Sequence, residues 1–100
     1  MPKGYWIAHI DVLDPQGYPP YVVAATAAVA QFGGRHLVRG GTSEQREGQM
    51  RSRHAIVEFP SYAQALACYE SDVYQRALSI RHQYARSDLT IVEGYEPAGV

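Results

Sequence analysis

The clearest pattern of apolar and polar positions lies in residues 53–81. Residues 54–59 alternate and are rich in β-branched and aromatic side chains. They predict a strand with Ala55, Val57 and Phe59 on one face and His54, Ile56 and Glu58 on the other. Pro60 cannot donate to a sheet ladder and ends it. Ser61 and Gln64 have the spacing of a capping box. Tyr62, Ala65, Leu66 and Tyr69 then recur as one helical face. Ser71 and Asp72 interrupt that periodicity, and either can cap a second helix. There Val73, Ala77, Ile80 and Tyr84 form one stripe, and Tyr74, Ala77, Leu78 and Arg81 an adjoining one. Arg81 is thus expected at the edge of an apolar face, where a lone charge needs an anionic partner or an exit to water.

Upstream, residues 5–13 predict a first strand, with Tyr5, Ile7, His9 and Asp11 on one face and Trp6, Ala8, Ile10 and Val12 on the other. Both faces carry apolar residues, so both are expected to be covered. Asp14 and Pro15 have the form of an N-cap followed by proline at N1. Gly17, Pro19 and Pro20 make the next residues irregular, and the main helix is expected from near Pro20 to Phe32. Tyr21, Ala25, Ala28 and Phe32 form its inward stripe, and Gly33-Gly34 ends it. Residues 35–39 predict a second strand, after which Gly40-Gly41 permits a bulge or a close backbone approach. Residues 42–53 are polar, alternating Glu44 and Glu47 with Arg46, Arg51 and Arg53. They are expected to form an edge ribbon or long hairpin turning near Gly48. Ser87-Asp88 is expected to break the last helix before a fourth strand at residues 89–93, with a tail at 94–100.

The resulting order, β-α-β-β-α-β with an extra helical turn or two, is the ferredoxin-like, split βαβ arrangement. It is an α+β fold with helices on one face of a four-stranded antiparallel sheet. The other face would be bare in a single chain. Ile7 and Ile56 therefore argue for a homodimer whose sheets pack face to face or close into a joint barrel.

Composition narrows this little. One hundred residues imply one domain and a core without a large enclosed cavity. With 46% hydrophobic and 19% charged residues, the chain is globular rather than disordered. A formal net charge of −1 gives no reason to expect a nucleic-acid or membrane-surface partner. Cys68 is the single cysteine, so no intrachain disulfide or thiolate metal site is available. Its helical position suggests a small buried hydrophobe rather than a reactive thiol. No signal peptide or long apolar run is evident, which makes a soluble cytoplasmic protein the default. Eight tyrosines suit an interface or a lined pocket.

The candidate chemistry is sparse. Arg39 can clamp a carboxylate or phosphate, or else pair with Glu58 or Glu93 near a dimer interface. Arg81 can hold the anionic end of a ligand or pair with an acid of the other subunit. His54 and His9 lie on strands that this fold makes neighbours, and either can act as a general base or as a hydrogen-bonded structural residue. His36 and His82 are expected at the surface. Tyr69 and Tyr74 can donate to a ligand oxygen, although helix-to-sheet packing accounts for Tyr69 more simply. No His, Asp or Glu spacing makes a metal site. There is no nucleophile elbow, phosphate loop or dinucleotide fingerprint, so no cofactor is indicated. The expected site is a pocket between helices and sheet, lined by Arg39, His54, Tyr69, Tyr74 and Arg81. It would take a small anionic or aromatic compound, with cofactor-free proton transfer as its chemistry and His54 as the base. The competing expectation is a non-catalytic dimer whose polar residues fix subunit register.

Several short stretches, taken together, resemble a known family. They are Lys3-Gly4-Tyr5-Trp6, Asp14-Pro15, Gly33-Gly34, Leu37-Val38-Arg39-Gly40-Gly41 and Glu58-Phe59-Pro60-Ser61. Tyr69, Ser71, Tyr74, Arg81 and the closing Val92-Glu93-Gly94 complete the set. Over nearly its whole length the chain is similar to the small bacterial family called domain of unknown function 1330, in the dimeric α+β barrel group. It departs from that pattern at Asp72-Val73, where Pro-Glu is common, and near Met50, where an aromatic often stands. The resemblance implies the fold and the dimer and no particular reaction. Related dimeric barrels include cofactor-free monooxygenases and isomerases, a third reading that rests on analogy alone.

Overall fold

In the computed structural model, which describes residues 2–97, the longest apolar alternation becomes the centre of the sheet. That strand, β1 (Gly4–Val12), pairs antiparallel with β3 (Arg53–Phe59) on one side and β4 (Ala85–Glu93) on the other. β2 (Arg35–Arg39) adds to the outer edge of β3, giving the order β2-β3-β1-β4. Helices α1 (Pro19–Gln31), α2 (Tyr62–Glu70) and α3 (Asp72–Tyr84) complete the ferredoxin-like α+β order. Trp6, Ala8, Ile10, Val57 and Phe59 are buried beneath the helices. Tyr5, Ile7, His9, Ile56 and Glu58 occupy the other face and are only half-covered. Gly94 N–H donates to the Lys3 carbonyl at 2.7 Å, so the two ends of the fold lie side by side.

The helix ends follow from their local chemistry. Asp14 does not cap α1. Its carboxylate accepts from the N–H groups of Gln16 and Gly17, closing a turn, and α1 starts at Pro19 with no side-chain cap. Proline at the first two positions supplies the helical φ and removes orphan donors instead. At the far end Gly33 takes φ +75°, and the N–H groups of Gly33 and Gly34 close onto Ala30 and Val29 in a Schellman motif. Ser61 caps α2 through Gln64 N–H, as expected. The Ser71 hydroxyl serves two helices, donating to the Cys68 carbonyl at 2.7 Å and accepting from Tyr74 N–H at 3.2 Å.

Four further expectations need correction. Residues 41–52 form no strand, only bends at Glu47-Gly48 and at Ser52. Without alternating apolar residues the loop is held by charge: Arg51 bridges Asp11 and Asp88 at 3.1 Å each, and Asp11 also accepts from Ser52 N–H. Ser87-Asp88 does not end α3. The helix stops at Tyr84 and β4 starts at once, because Ser87 and Asp88 are paired opposite Ile10 and His9 of the long β1. Tyr62 does not share the buried face of α2, which is Ala65 and Cys68. Tyr62 sits where the start of β1 passes so close beneath the backbone that only Gly4 fits. The buried stripe of α3 is Tyr74, Ala77, Leu78 and Arg81, so Arg81 lies inside the core boundary rather than at its edge.

Trp6 centres the core. Its ring lies 5.0 Å from Phe59, 4.7 Å from Tyr74 and 6.0 Å from Tyr69, and its indole N–H donates to the Ala65 carbonyl at 2.9 Å. Aromatic pairs at such separations add about 0.5–1.5 kcal/mol each to the burial of their area.

Candidate functional site

Between α1 and the helix-facing side of the sheet lies a cavity of about 50 Å³. Its walls are apolar: Trp6, Ala8 and Ile10 of β1, Ala55 and Val57 of β3, Leu89 of β4, and Val22, Ala25 and Val29 of α1. Among this hydrocarbon stand the side chains of three arginines, Arg39, Arg53 and Arg81, together with His36, Thr26, Tyr18 and Tyr21.

Arg81 is the least ordinary of them. It is 3% exposed and lies in the last turn of α3. Among the described residues no carboxylate pairs with it. Its Nη1 donates to the hydroxyls of Tyr21 at 3.0 Å and Tyr74 at 3.1 Å, and those hydroxyls bond each other at 2.8 Å. The Tyr21 ring sits under the guanidinium, with Cζ 5.2 Å from its centroid. The carbonyl end of α3 adds partial negative charge. None of these neighbours carries a full negative charge, and Nε is buried with no hydrogen-bond partner.

Nη1 spends both protons on the phenols, so the Nε–Nη2 edge, the flat side that suits a carboxylate, has no acceptor among the described residues. Two phenolic hydroxyls share one bond between them, which leaves one phenolic proton over. Burial pushes the Tyr74 phenol well above its ordinary range, so it keeps its proton. Tyr21 borders the cavity and Tyr74 does not. This end of the cavity therefore has donors to spare and, among the described residues, no carboxylate to receive them.

The outer groups are placed by β2. Its pairing to β3 slips between His36 and Val38, with His36 opposite Val57 and Arg39 opposite Ala55. Strict alternation would put His36 and Arg39 on opposite faces, and the bulge puts both on the cavity side. Leu37, the extra residue, points outward and is 48% exposed. His36 is thus half-buried rather than a surface residue. Burial, and then the Arg39 charge, hold its pKa below 6.5, so the imidazole is neutral at neutral pH. Arg39 reaches from β2 to α1, donating to Thr26 Oγ1 at 2.7 Å, and Thr26 in turn donates to the Val22 carbonyl. It does not pair with Glu58, which takes Arg35 at 3.0 Å and the Tyr5 hydroxyl at 3.0 Å. The Arg53 guanidinium packs on Gly40, whose φ of +69° and missing Cβ make room for it.

Of the residues expected in the site, Arg39 and Arg81 line this cavity, and Tyr74 lies behind it as the second phenol on Arg81. Tyr69 is outside it, stacked against Tyr74 at 5.5 Å and donating nothing to the cavity. His54 is on the opposite face of the sheet. Its place in a common pocket is corrected, because Ala55 and Val57 turn inward and His54 with them turns out. There its Nδ1 lies 2.8 Å from Nδ1 of His9, the residue opposite it on β1, so the two histidines do share a face. Tyr21, His36 and Arg53 were not anticipated as site residues. Tyr21 belongs to the expected inward stripe of α1, and no periodicity signals its hydroxyl. Among the described residues no group of three His, Cys, Asp or Glu side chains could hold a metal ion, and no helix is long and apolar enough to cross a membrane.

Residues 3–95 match a family described as domain of unknown function (DUF1330). No curated protein matches the sequence significantly. A protein of unknown function from Rhodopseudomonas palustris is 19% identical, with a TM-score of 0.72 over 96% of this chain and 85% of its own. SnoaB, a cofactor-independent oxygenase from Streptomyces nogalater, is 8% identical with a TM-score of 0.66 over the full length of both chains. A dimeric ferredoxin-like protein of unknown function from Thermobifida fusca is 12% identical, with a TM-score of 0.54 over 92% of this chain and 91% of that one. At such identities these likenesses establish the shared fold.

Proposed function

The chain belongs to the DUF1330 family, and from that premise we propose that it is a homodimeric small-molecule protein whose cavity beneath α1 binds a small organic anion. The observation that carries this is Arg81. A buried guanidinium with an unpartnered Nε is costly, and a carboxylate laid along its free edge removes the cost. The apolar walls suit the hydrocarbon part of such a ligand. His36, neutral and bordering the same cavity, is the group placed to take a proton from it. Any chemistry would then be proton transfer without a cofactor. The likeness of fold to a cofactor-independent oxygenase accords with chemistry of that type and names no substrate. The dimer is supported by the half-covered second face of the sheet, where Ile7, Val38 and Ile56 find no helix above them. A structurally similar protein is itself described as dimeric.

The test is thermal unfolding with a series of small carboxylates. The wild type should be stabilised in proportion to the logarithm of ligand concentration. Arg81→Met should abolish that response and raise the stability of the unliganded protein, by on the order of 1 kcal/mol or more, because it removes an uncompensated buried charge. A wild type that no carboxylate stabilises, with Arg81→Met less stable than the wild type, would assign Arg81 to packing and sink the proposal.

A further inference from the structure

The charges around the cavity are more than a single carboxylate requires. Arg35, Arg46 and Arg51 are each paired with carboxylates. Among the described residues, Arg39, Arg53 and Arg81 are paired with none, and all three line the one cavity. Arg76 and Arg86 stand outside it. Three uncompensated cations thus face one small space in a chain of formal net charge −1.

They are not clustered at one point. Arg81 is tied to Tyr21 of α1 at the buried floor, and Arg39 to Thr26 of the same helix at the exposed rim. The two anchoring residues are five positions apart on α1, a rise of about 7.5 Å along its axis. Between them the walls are hydrocarbon, including Val22 and Ala25 of α1. A compact dianion such as phosphate could satisfy one end and would leave the other cation unpaired.

Resting on the anion-binding reading above, we infer that the ligand is two-headed: a short α,ω-dicarboxylate, or a compound with the same pair of anionic ends on an apolar spine. The inner carboxylate lies along the Nε–Nη2 edge of Arg81. The spine fills the apolar middle, and the outer carboxylate meets Arg39 and Arg53 at the rim. The inner head is recognised by geometry in a desolvated site. The outer one is held by two cations within reach of solvent, so its contribution is sensitive to salt.

Isothermal titration of the intact protein with short, chain-matched pairs tests this, malonate against propionate and succinate against butyrate, since a cavity of about 50 Å³ admits little more than one head and a methylene or two, with inorganic phosphate as the compact dianion. The expected result is that one dicarboxylate binds at least about tenfold more tightly than its monocarboxylate partner. The Arg39→Ala/Arg53→Ala double variant should lose that preference while still binding the monocarboxylate, and added salt should erode the preference in the wild type. Equal affinity for the two members of each pair, or tighter binding of phosphate, would overturn the two-headed ligand and leave the single-anion reading standing. Failure of every carboxylate to bind would overturn both.

Discussion

Arg81 and His36 show how strongly a side chain's chemistry depends on its seat. Arg81 keeps its charge in a place where a salt bridge would be the ordinary solution, with two phenols and an aromatic face as partial substitutes. His36 is seated so that the proton is excluded, by burial first and by Arg39 second. The sign of its pH dependence follows. As pH falls, the unfolded chain takes up this proton before the folded one does, so the stability tied to His36 is present above about pH 6.5 and is lost as pH drops toward its lowered folded value. His36→Gln should therefore lose less stability than the wild type between neutral pH and about pH 5, read from urea midpoints. An equal loss in both proteins would mean that the histidine is hydrated in the folded state. Cys68 is fully buried against the Ala28 carbonyl, and burial pushes its thiol up to about 12. It should resist iodoacetamide in native protein and react only in denaturant.

At the scale of elements, Ser71 ends α2 and begins α3 with one hydroxyl. Loss of a single cap costs about 1 kcal/mol. Ser71→Ala should cost more than Ser61→Ala, which removes one bond to one helix, and the difference is measurable as a larger fall in urea midpoint at unchanged slope. Trp6→Ala should be the more damaging change, about 3–5 kcal/mol, because it opens a cavity among three rings and removes the indole bond to the Ala65 carbonyl. Elements of this kind were legible in the chain: periodicity located three of the strands closely and all of the helices, and punctuation by proline, serine and glycine located most of the ends. What was not legible depended on distant partners. The start of β4 is set by β1, which recruits Ser87 and Asp88 against their turn-forming character. The bulge at Leu37 is set by register against β3, and no residue type announces it. Because of that bulge His36 was assigned to the surface. Alternation on β3, by contrast, did show His54 turned from Ala55 and Val57. Arg39 and Arg81 were identifiable as cations without a local partner. The hydroxyls that receive Arg81 come from two different helices, and one of them, Tyr21, lies sixty residues away.

For the whole molecule, one face of the sheet is roofed by helices and the other is not. On the open side, apolar Ile7, Val38 and Ile56 lie beside the His9–His54 pair, and Val92 is 41% exposed. A charge there has no effect on the helix-side core. Ile56→Lys should leave the fold intact by circular dichroism and convert a dimer to a monomer in analytical ultracentrifugation. An unaffected Ile56→Lys dimer would move the subunit contact elsewhere, and a wild type that sediments as a monomer would overturn the dimer itself.

The bond between Gly94 and Lys3 has a consequence for the way the chain can be cut. With its ends adjacent, the fold is nearly a closed circuit, and where the circuit is opened is a matter of covalent order rather than of packing. The bend at Glu47 and Gly48 sits in exposed loop between β2 and β3, outside the sheet and the cavity. A circular permutant with a short linker joining the old ends and new ends at Gly48 should therefore keep every strand pairing. The same opening divides the molecule into two pieces, one carrying β1, α1 and β2 and the other β3, α2, α3 and β4. Each piece holds one side of the cavity, with Tyr21 on the first and Arg81 on the second. Expressed apart, the halves would regain the Arg81–Tyr21 bond only on reassembly, which makes carboxylate binding at the proposed site a reporter of their complementation.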